Sequence, residues 1–279
     1  MMTLSVRNRL AATALAMAMV LPAIAPASAE LPADQLAKLQ AIVAGPHREA
    51  ENAARDPHRH PVETLAFFGL RDNMTVVEVQ PGSAGWWTEI LGPYLKDRGL
   101  YYAAHPIEGE SKGAAASRAT YERKLATHPE LYGKVRITDF SAKGSAIAPP
   151  GSADMVLTFR NLHNWFQRDS IQDVLKTFHA ALKPGGILAV EDHRARNDRP
   201  QDPDARDGYL REDFSIAMIE KAGFKLLARS EVNANPKDTK DHPAGVWTLP
   251  PTYRMKDQDR AKYQAIGESD RFTLTFVKQ

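Results

Sequence analysis

From Met74 to Lys278 the chain alternates two patterns: short runs of β-branched and aromatic residues, then stretches whose apolar residues recur every third or fourth position. The first pattern fits strands and the second amphipathic helices. "MTVVEVQ" (Met74–Gln80) reads as a strand, and "WWTEILGPYL" (Trp86–Leu95) as a helix that Pro93 ends or kinks. "LYYAAH" (Leu100–His105) is a second strand and "AAASRATYERKLATH" (Ala114–His128) a second helix. "KVRITDF" and "ADMVLTFR" make strands three and four. In "DSIQDVLKTFHAALKPGG" one face collects Ile171, Val174, Leu175, Phe178 and Leu182, with Asp169 and Gln172 placed for a capping box and Gly185 at the exit. "GILAVED" is strand five, "REDFSIAMIEKAGF" a helix and "KLLARSEV" strand six. "RFTLTFVK" closes the chain, with Phe272, Leu274 and Phe276 alternating against Thr273 and Thr275. Such alternation predicts an α/β fold: a mainly parallel, doubly wound sheet with helices on both faces.

Two segments fall outside that rhythm. Before it, residues 30–72 carry helical spacing in "ADQLAKLQAIVAGP" and in "REAENAARDPHRHPVETLAFFGL", interrupted between Pro57 and Pro61; this is a helical extension of the α/β domain at 73–279. Near the end, the segment 233–270 joins the last two strands with little periodicity. A connection of that length is a functional lid or disordered, and Trp247 and Tyr253 favour a packed lid. Residues 1–29 differ again. Arg7 and Arg9 precede the apolar "LAATALAMAMVLPAIAP", and "ASA" (Ala27–Ala29) supplies small residues before Glu30. Basic start, apolar middle and small-residue exit predict a secretory signal peptide, cleaved near Ala29, and hence a periplasmic or secreted protein with no stable membrane anchor.

Composition narrows the function classes. Of the 36 basic residues Arg7 and Arg9 lie in the leader, so the remainder equals the 34 acidic ones. No clustered positive field remains of the kind nucleic acid requires. With 43% hydrophobic residues and no Cys, the chain must be held by its core, without disulfides or thiolate chemistry.

The stretch "VVEVQPGSAGWWTEIL" (Val76–Leu91) joins an acid-bearing strand to a helix through small residues. Glu78 stands at the strand end, and Gly82, Ser83, Ala84 and Gly85 let backbone approach a ligand at a helix N-terminus. "PGSAGWWTE" resembles the first motif of class I S-adenosyl-L-methionine (SAM)-dependent methyltransferases. "ALKPGGILAVED" is similar to that family's helix, Lys-Pro-Gly-Gly turn and fifth strand, and "IEKAGFKLL" to its segment before strand six. "HPVETLAFFGLRDNMTVVEVQPG" and "NPKDTKDHP" resemble a branch of exported bacterial predicted methyltransferases. The resemblance implies a Rossmann-like seven-stranded sheet with a terminal antiparallel strand, and SAM across the carboxyl ends of the central strands. Its contacts would come from Glu78, Gln80, Gly82, Ser83, Gly85, His105, Asp139 and Arg160. Two positions depart from the family pattern. Gln80 stands where its first glycine is usual, and His105 where a ribose-gripping carboxylate is usual; Glu108 and Glu110 follow out of register.

"FRNLHNWFQRDSI" follows strand four, where an open parallel sheet places reactive groups. Methyl transfer needs an oriented acceptor and a base, and an imidazole suits the second task. "LHNW" is similar to the His-Asp-Trp of small-molecule O-methyltransferases, which implies His163 as general base, with Asn161 or Asn164 orienting a small-molecule acceptor. The bland reading has His163 and Trp165 capping a helix beneath the lid. "EDHRA" places Glu191, Asp192 and His193 on the same rim, where an acid–His pair would orient substrate or bind a metal; the bland reading is a solvated strand end. His58 and His60 in "DPHRHP" have the look of an exposed loop, and no metal is assigned. The expected activity is methyl transfer to oxygen or nitrogen of a small molecule. Alternatives are a degenerate fold that binds a nucleoside-like ligand, and a metal-assisted hydrolase using His163, Asp192 and His193.

Overall fold

A computed structural model describes residues 31–279. The expected leader at 1–29 lies outside the described residues. Four helices, α1 (Ala33–Val43), α2 (Ala50–Ala53), α3 (Asp56–Arg59) and α4 (Pro61–Phe67), precede β1 (Thr75–Val79). There follow α5 (Thr88–Leu95), β2 (Leu100–Pro106), α6 (Ala114–Thr127), α7 (Pro129–Tyr132), β3 (Arg136–Phe140) and β4 (Ala153–Phe159). The remainder is α8 (Leu162–Gln167), α9 (Ile171–Ala181), β5 (Leu182–His193), α10 (Glu212–Glu220), β6 (Phe224–Ser230), α11 (Arg260–Ile266) and β7 (Arg271–Lys278). No helix of the described residues is long and apolar enough to cross a membrane.

The seven strands form one sheet in the order β3-β2-β1-β4-β5-β7-β6. β7 runs antiparallel to both neighbours, and the other pairings are parallel. The chain starts in the middle of the sheet at β1, moves to one edge, then returns to β4 on the other side. That reversal between β1 and β4 leaves a crevice at their carboxyl ends, the place where open α/β sheets take ligands.

Two apolar layers cover the sheet. One joins Val77, Val79 and Leu188 to Trp165, Val174, Phe178 and Ile219. The other joins Val76, Leu157 and Ala189 to Ile90, Leu91 and Tyr94 of α5 and to Leu39, Leu65 and Phe68 of the extension. The extension is therefore part of the same core. A buried polar knot reinforces it: Glu89 accepts from Arg48 Nε (3.2 Å), Asn52 Nδ2 (2.8 Å) and Lys124 Nζ (2.6 Å).

Two local expectations change and one is narrowed. Pro93 does not end α5, which runs through it to Leu95 as the spacing predicts. The carbonyl of Glu89, deprived of a donor four residues on, receives His47 Nε2 at 2.9 Å instead. The capping box at α9 does not form. Asp169 takes a left-handed turn (φ 51°), Ser170 becomes the N-cap, and its hydroxyl donates to the Trp165 carbonyl at 3.1 Å. The Lys183–Gly186 turn is absorbed into β5 as an irregularity, because Leu182 already pairs with Ala153 before regular register resumes at Ile187.

Candidate active site

β1 ends at Val79, yet the next amide still donates to Ala104 of β2 at 2.9 Å, so Gln80 is tied to the sheet. Its φ of 58° lies in the left-handed region, a conformation that costs a non-glycine residue roughly 1 kcal/mol. This explains physically why a glycine is the ordinary occupant of such a turn. Gly82 (φ 73°) and Gly85 (φ 55°) continue the turn, and a Cβ at Gly85 would stand 3.0 Å from the Tyr121 ring. Arg160, at the end of β4, is a second strained non-glycine residue (φ 57°), anchored by its amide to the Glu191 carbonyl at 2.7 Å. Strain of this kind concentrates at ligand sites.

Glu78 points from β1 into the layer beneath the turn and is buried. It accepts a short hydrogen bond from the Tyr101 hydroxyl, which meets Thr88 Oγ1 at 3.0 Å; Thr88 in turn meets the Tyr121 hydroxyl at 3.0 Å. Burial pushes the Glu78 carboxyl up to about 7, against the lowering pull of Tyr101 and Arg59. Tyr101 is thus part of the sheet's polar support.

Two cavities of about 290 Å³ each flank the turn and share Gln80, Gly82 and Asn161. The one toward β2 is lined by His105, Glu110, Ser117, Asn164 and Arg168. His105 is buried, with Nδ1 toward the Pro106 carbonyl (3.5 Å) and Nε2 toward Ser117 Oγ (3.4 Å); burial lowers its pKa, so the ring is neutral. Neither His105 nor Gln80 fills the crevice. Glu110 supplies the carboxylate of this wall and is oriented by Ser141 Oγ (3.1 Å) and the Ala142 amide (2.9 Å). Asp139 does not join it. It is exposed beside His105 in the β2–β3 register and is ion-paired with Arg118, which corrects its assignment as a crevice residue.

The second cavity is lined by Glu78, Ser83, Trp86, Trp87, Phe159 and Arg160, and by Arg55 and Arg59 from the extension. The Trp87 and Phe159 rings stack at 4.2 Å, and the Arg59 guanidinium lies 4.5 Å above Trp86. Arg55 and Arg59 were not foreseen. Their spacing of four on one helical face beside "DPHRHP" was the available signal. The histidines in that stretch do other work: the His58 carbonyl receives Arg271, and His60 Nδ1 faces Asn233 Oδ1 at 3.3 Å.

The residues after β4 converge on a third, smaller cavity of about 120 Å³, lined by Arg160, His163, Asn164, His193, Trp247 and Ser269. His163 lies in the first turn of α8, and its Nδ1 meets Asp192 Oδ1 at 2.8 Å. Asp192 Oδ2 accepts the His163 amide (2.8 Å), and Oδ1 also accepts the His193 amide (2.7 Å). With only donors around it, the carboxylate makes Nδ1 the protonated nitrogen of His163 and leaves Nε2 as the basic atom. His193 Nδ1 meets Ser269 Oγ at 2.6 Å; burial, then His163, Arg160, Arg271 and Arg59, hold it well below the ordinary imidazole range. Asn161 braces the end of β1, its Nδ2 reaching the Val79 carbonyl at 3.4 Å, while Asn164 lines two cavities. Trp165 belongs to the core, 5.5 Å from both Phe140 and Phe178.

Ligand atoms of His163, Asp192 and His193 lie within 4.8 Å of one another. Asp192 is already engaged by three donors, however, and the surrounding arginines repel a cation. The geometry is that of an acid–imidazole pair.

Segment 233–270 packs over this rim as expected of a lid. Trp247 faces His163 at 6.0 Å between ring centroids. Buried Asp238 locks it, accepting from the Tyr209 hydroxyl (3.1 Å), His242 Nε2 (2.8 Å), and the Lys240 (3.0 Å) and Asp270 (2.8 Å) amides.

No family model and no curated protein matches the chain. Solved structures do. A SAM-dependent methyltransferase from Aquifex aeolicus aligns over 88% of this chain and 98% of its own, with 16% identity and a TM-score of 0.55. The fold is that of the SAM-dependent methyltransferases. The [4+2]-cyclase SpnF aligns over 88% and 93%, with 16% identity and a TM-score of 0.52. A putative sarcosine dimethylglycine methyltransferase from Galdieria sulphuraria covers 83% of this chain and 88% of its own, at 11% identity and a TM-score of 0.51. At such identity the likeness speaks for the fold, and the site must carry the chemistry.

Proposed function

We propose that the protein transfers the methyl group of SAM to an oxygen or nitrogen of a small molecule, with His163 as general base. The observation that carries this reading is the Asp192–His163 pair, set at the rim of a crevice that opens beside a strained glycine turn. The residues fit the cofactor. Gly82 and Ser83 offer backbone without bulk, and the cavity toward β2 has Glu110 and a neutral His105 to meet hydroxyl groups. When bound, SAM supplies an electrophilic methyl group on sulfonium.

The chain's own task is then to position the acceptor and take its proton. Asp192 fixes the imidazole plane and tautomer, so Nε2 of His163 receives the proton, and the resulting imidazolium is stabilised by the carboxylate beside it. Asn164 and Arg160 orient the acceptor. Trp247 and the lid exclude water. The leader implies export, and we assign the protein to the periplasm or the medium, where it must meet cofactor released from the cytoplasm.

Calorimetry with SAM and S-adenosylhomocysteine tests the cofactor, with binding expected for both. His163→Ala is expected to retain S-adenosylhomocysteine affinity while losing methyl transfer. Absence of heat at millimolar ligand would defeat the reading. It would favour a second one, a ligand-binding protein on a degenerate fold, which the side chain of Gln80 in the turn supports.

A further inference from the structure

The cavity walled by Trp86, Trp87 and Phe159 is surrounded by charge that does not balance. Arg55, Arg59, Arg160 and Arg271 all converge on one carboxylate, Glu268, at 2.7 to 3.4 Å. The second carboxylate in the group, Glu191, is ion-paired through Oε1 with Arg271 at 2.6 Å, while its Oε2 is buried without a hydrogen-bond partner. Glu78, on the cavity floor, titrates at about 7, so it carries only about half a negative charge at neutral pH. Four guanidiniums therefore face two full carboxylates and part of a third.

The donors are also under-used. Arg59 is 5% exposed, yet its guanidinium makes one hydrogen bond among the described residues, from Nε to Glu268 at 3.4 Å. Arg55 Nη2 is buried without a partner. Arg160 reaches Glu268 from 3.3 Å and lines both this cavity and the one holding His163. Burial and mutual repulsion lower the proton affinity of Arg59 and Arg160, but guanidinium keeps its charge at physiological pH. Leaving such charge unpaired out of water is costly, and the paired oxygens of a carboxylate or phosphate match the fork of donors.

We propose that Arg59 and Arg160, backed by Arg55, form an oxyanion subsite that grips a carboxylate or phosphate of the methyl acceptor, which makes the acceptor a small acid. The occupant's identity as acceptor rests on the methyl-transfer reading above; anion binding does not. Aromatic walls suit an apolar body behind the acid group, and Arg160 links its position to the cavity of His163.

The test is calorimetry of the purified protein with benzoate and with inorganic phosphate, each alone and with saturating S-adenosylhomocysteine. Binding of at least one probe under both conditions is expected. Arg59→Met should weaken it about tenfold or more, the scale of one lost charged hydrogen bond, with S-adenosylhomocysteine affinity unchanged and Arg59→Lys intermediate. Should Arg59→Met not fold, Arg55→Gln replaces it, with a loss of about threefold or more. Probe binding in a protein that ignores S-adenosylhomocysteine would uphold the anion site and remove the methyl-transfer reading. Two results overturn the proposal. One is binding of neither probe. The other is displacement of the probe by S-adenosylhomocysteine together with an Arg59→Met loss that spares methylthioadenosine, which would assign the arginines to the cofactor's own carboxylate.

Discussion

Glu78→Gln separates charge from shape at the floor of the crevice. In the folded protein the Glu78 carboxyl titrates at about 7 instead of the ordinary 4.5. Between these values the folded state holds a proton that the unfolded chain has released. Stability contributed by this group is therefore full below pH 4.5 and falls as pH rises through 7, by about 3 kcal/mol in all. Glutamine keeps the volume, and its carbonyl can accept the Tyr101 hydroxyl, but it does not titrate. The wild-type curve should then decline relative to the variant across this window, and the variant should be the more stable by about 3 kcal/mol at pH 8 after near equality at pH 4. Glu268, whose surrounding arginines hold it far below the ordinary range, loses its contribution as pH falls below 4.5 in both proteins, and so cancels. Urea denaturation of both proteins at half-unit steps measures the difference. Parallel curves from pH 4 to 8 would refute the reasoning, since they would mean that water reaches the carboxylate and burial does not set its charge.

Other outcomes follow from the same geometry. Gln80→Gly should leave stability within about 1 kcal/mol, because relief of the left-handed strain is offset by a freer unfolded chain. It should also raise S-adenosylhomocysteine affinity by joining the cavities that Gln80 divides; a loss measured by calorimetry would show the amide to be a ligand contact. Asp192→Asn should reduce methyl transfer on the order of a hundredfold or more, read as S-adenosylhomocysteine formed, because the tautomer of His163 is no longer fixed. Asp238→Ala strands four donors, two of them in buried hydrogen bonds, and should cost about 3 kcal/mol, visible as lower thermal stability and faster proteolysis within 233–270.

Periodicity made the sheet legible: the strands and the amphipathic α9 appear where apolar spacing places them, since burial against a sheet demands that spacing whatever the partners, whereas α6 buries only Ala114 and Tyr121 and owes little to it. Local chemistry was less readable. Asp169 and Gln172 have the letters of a capping box, but the short α8 delivers the chain in a left-handed turn at Asp169 and hands the cap to Ser170. Asp139 sits at the expected strand end and still faces solvent, because Arg118 on α6 draws its carboxylate outward. The pairing of His163 with Asp192 joins residues far apart in sequence, and only the adjacency of β4 and β5 makes it.

The same distinction bears on the two departures at the crevice. A glutamine in place of glycine would argue against a tight turn if side-chain bulk decided the backbone, yet Gln80 adopts φ 58° because its amide is held by Ala104 and the turn is over-determined on both sides. Its amide group then lies between two cavities as an adaptable donor and acceptor. An imidazole in place of a carboxylate leaves His105 a single acceptor for hydroxyl groups, but Glu110, fixed by Ser141 and Ala142, adds a carboxylate to the same wall from the following loop. Both substitutions preserve the space a nucleoside needs while relocating the groups that would hold it. Glu110→Gln therefore discriminates sharply: it should weaken S-adenosylhomocysteine while leaving benzoate binding at Arg59 intact, whereas equal loss of both would mean that the loop, rather than its carboxylate, shapes the crevice.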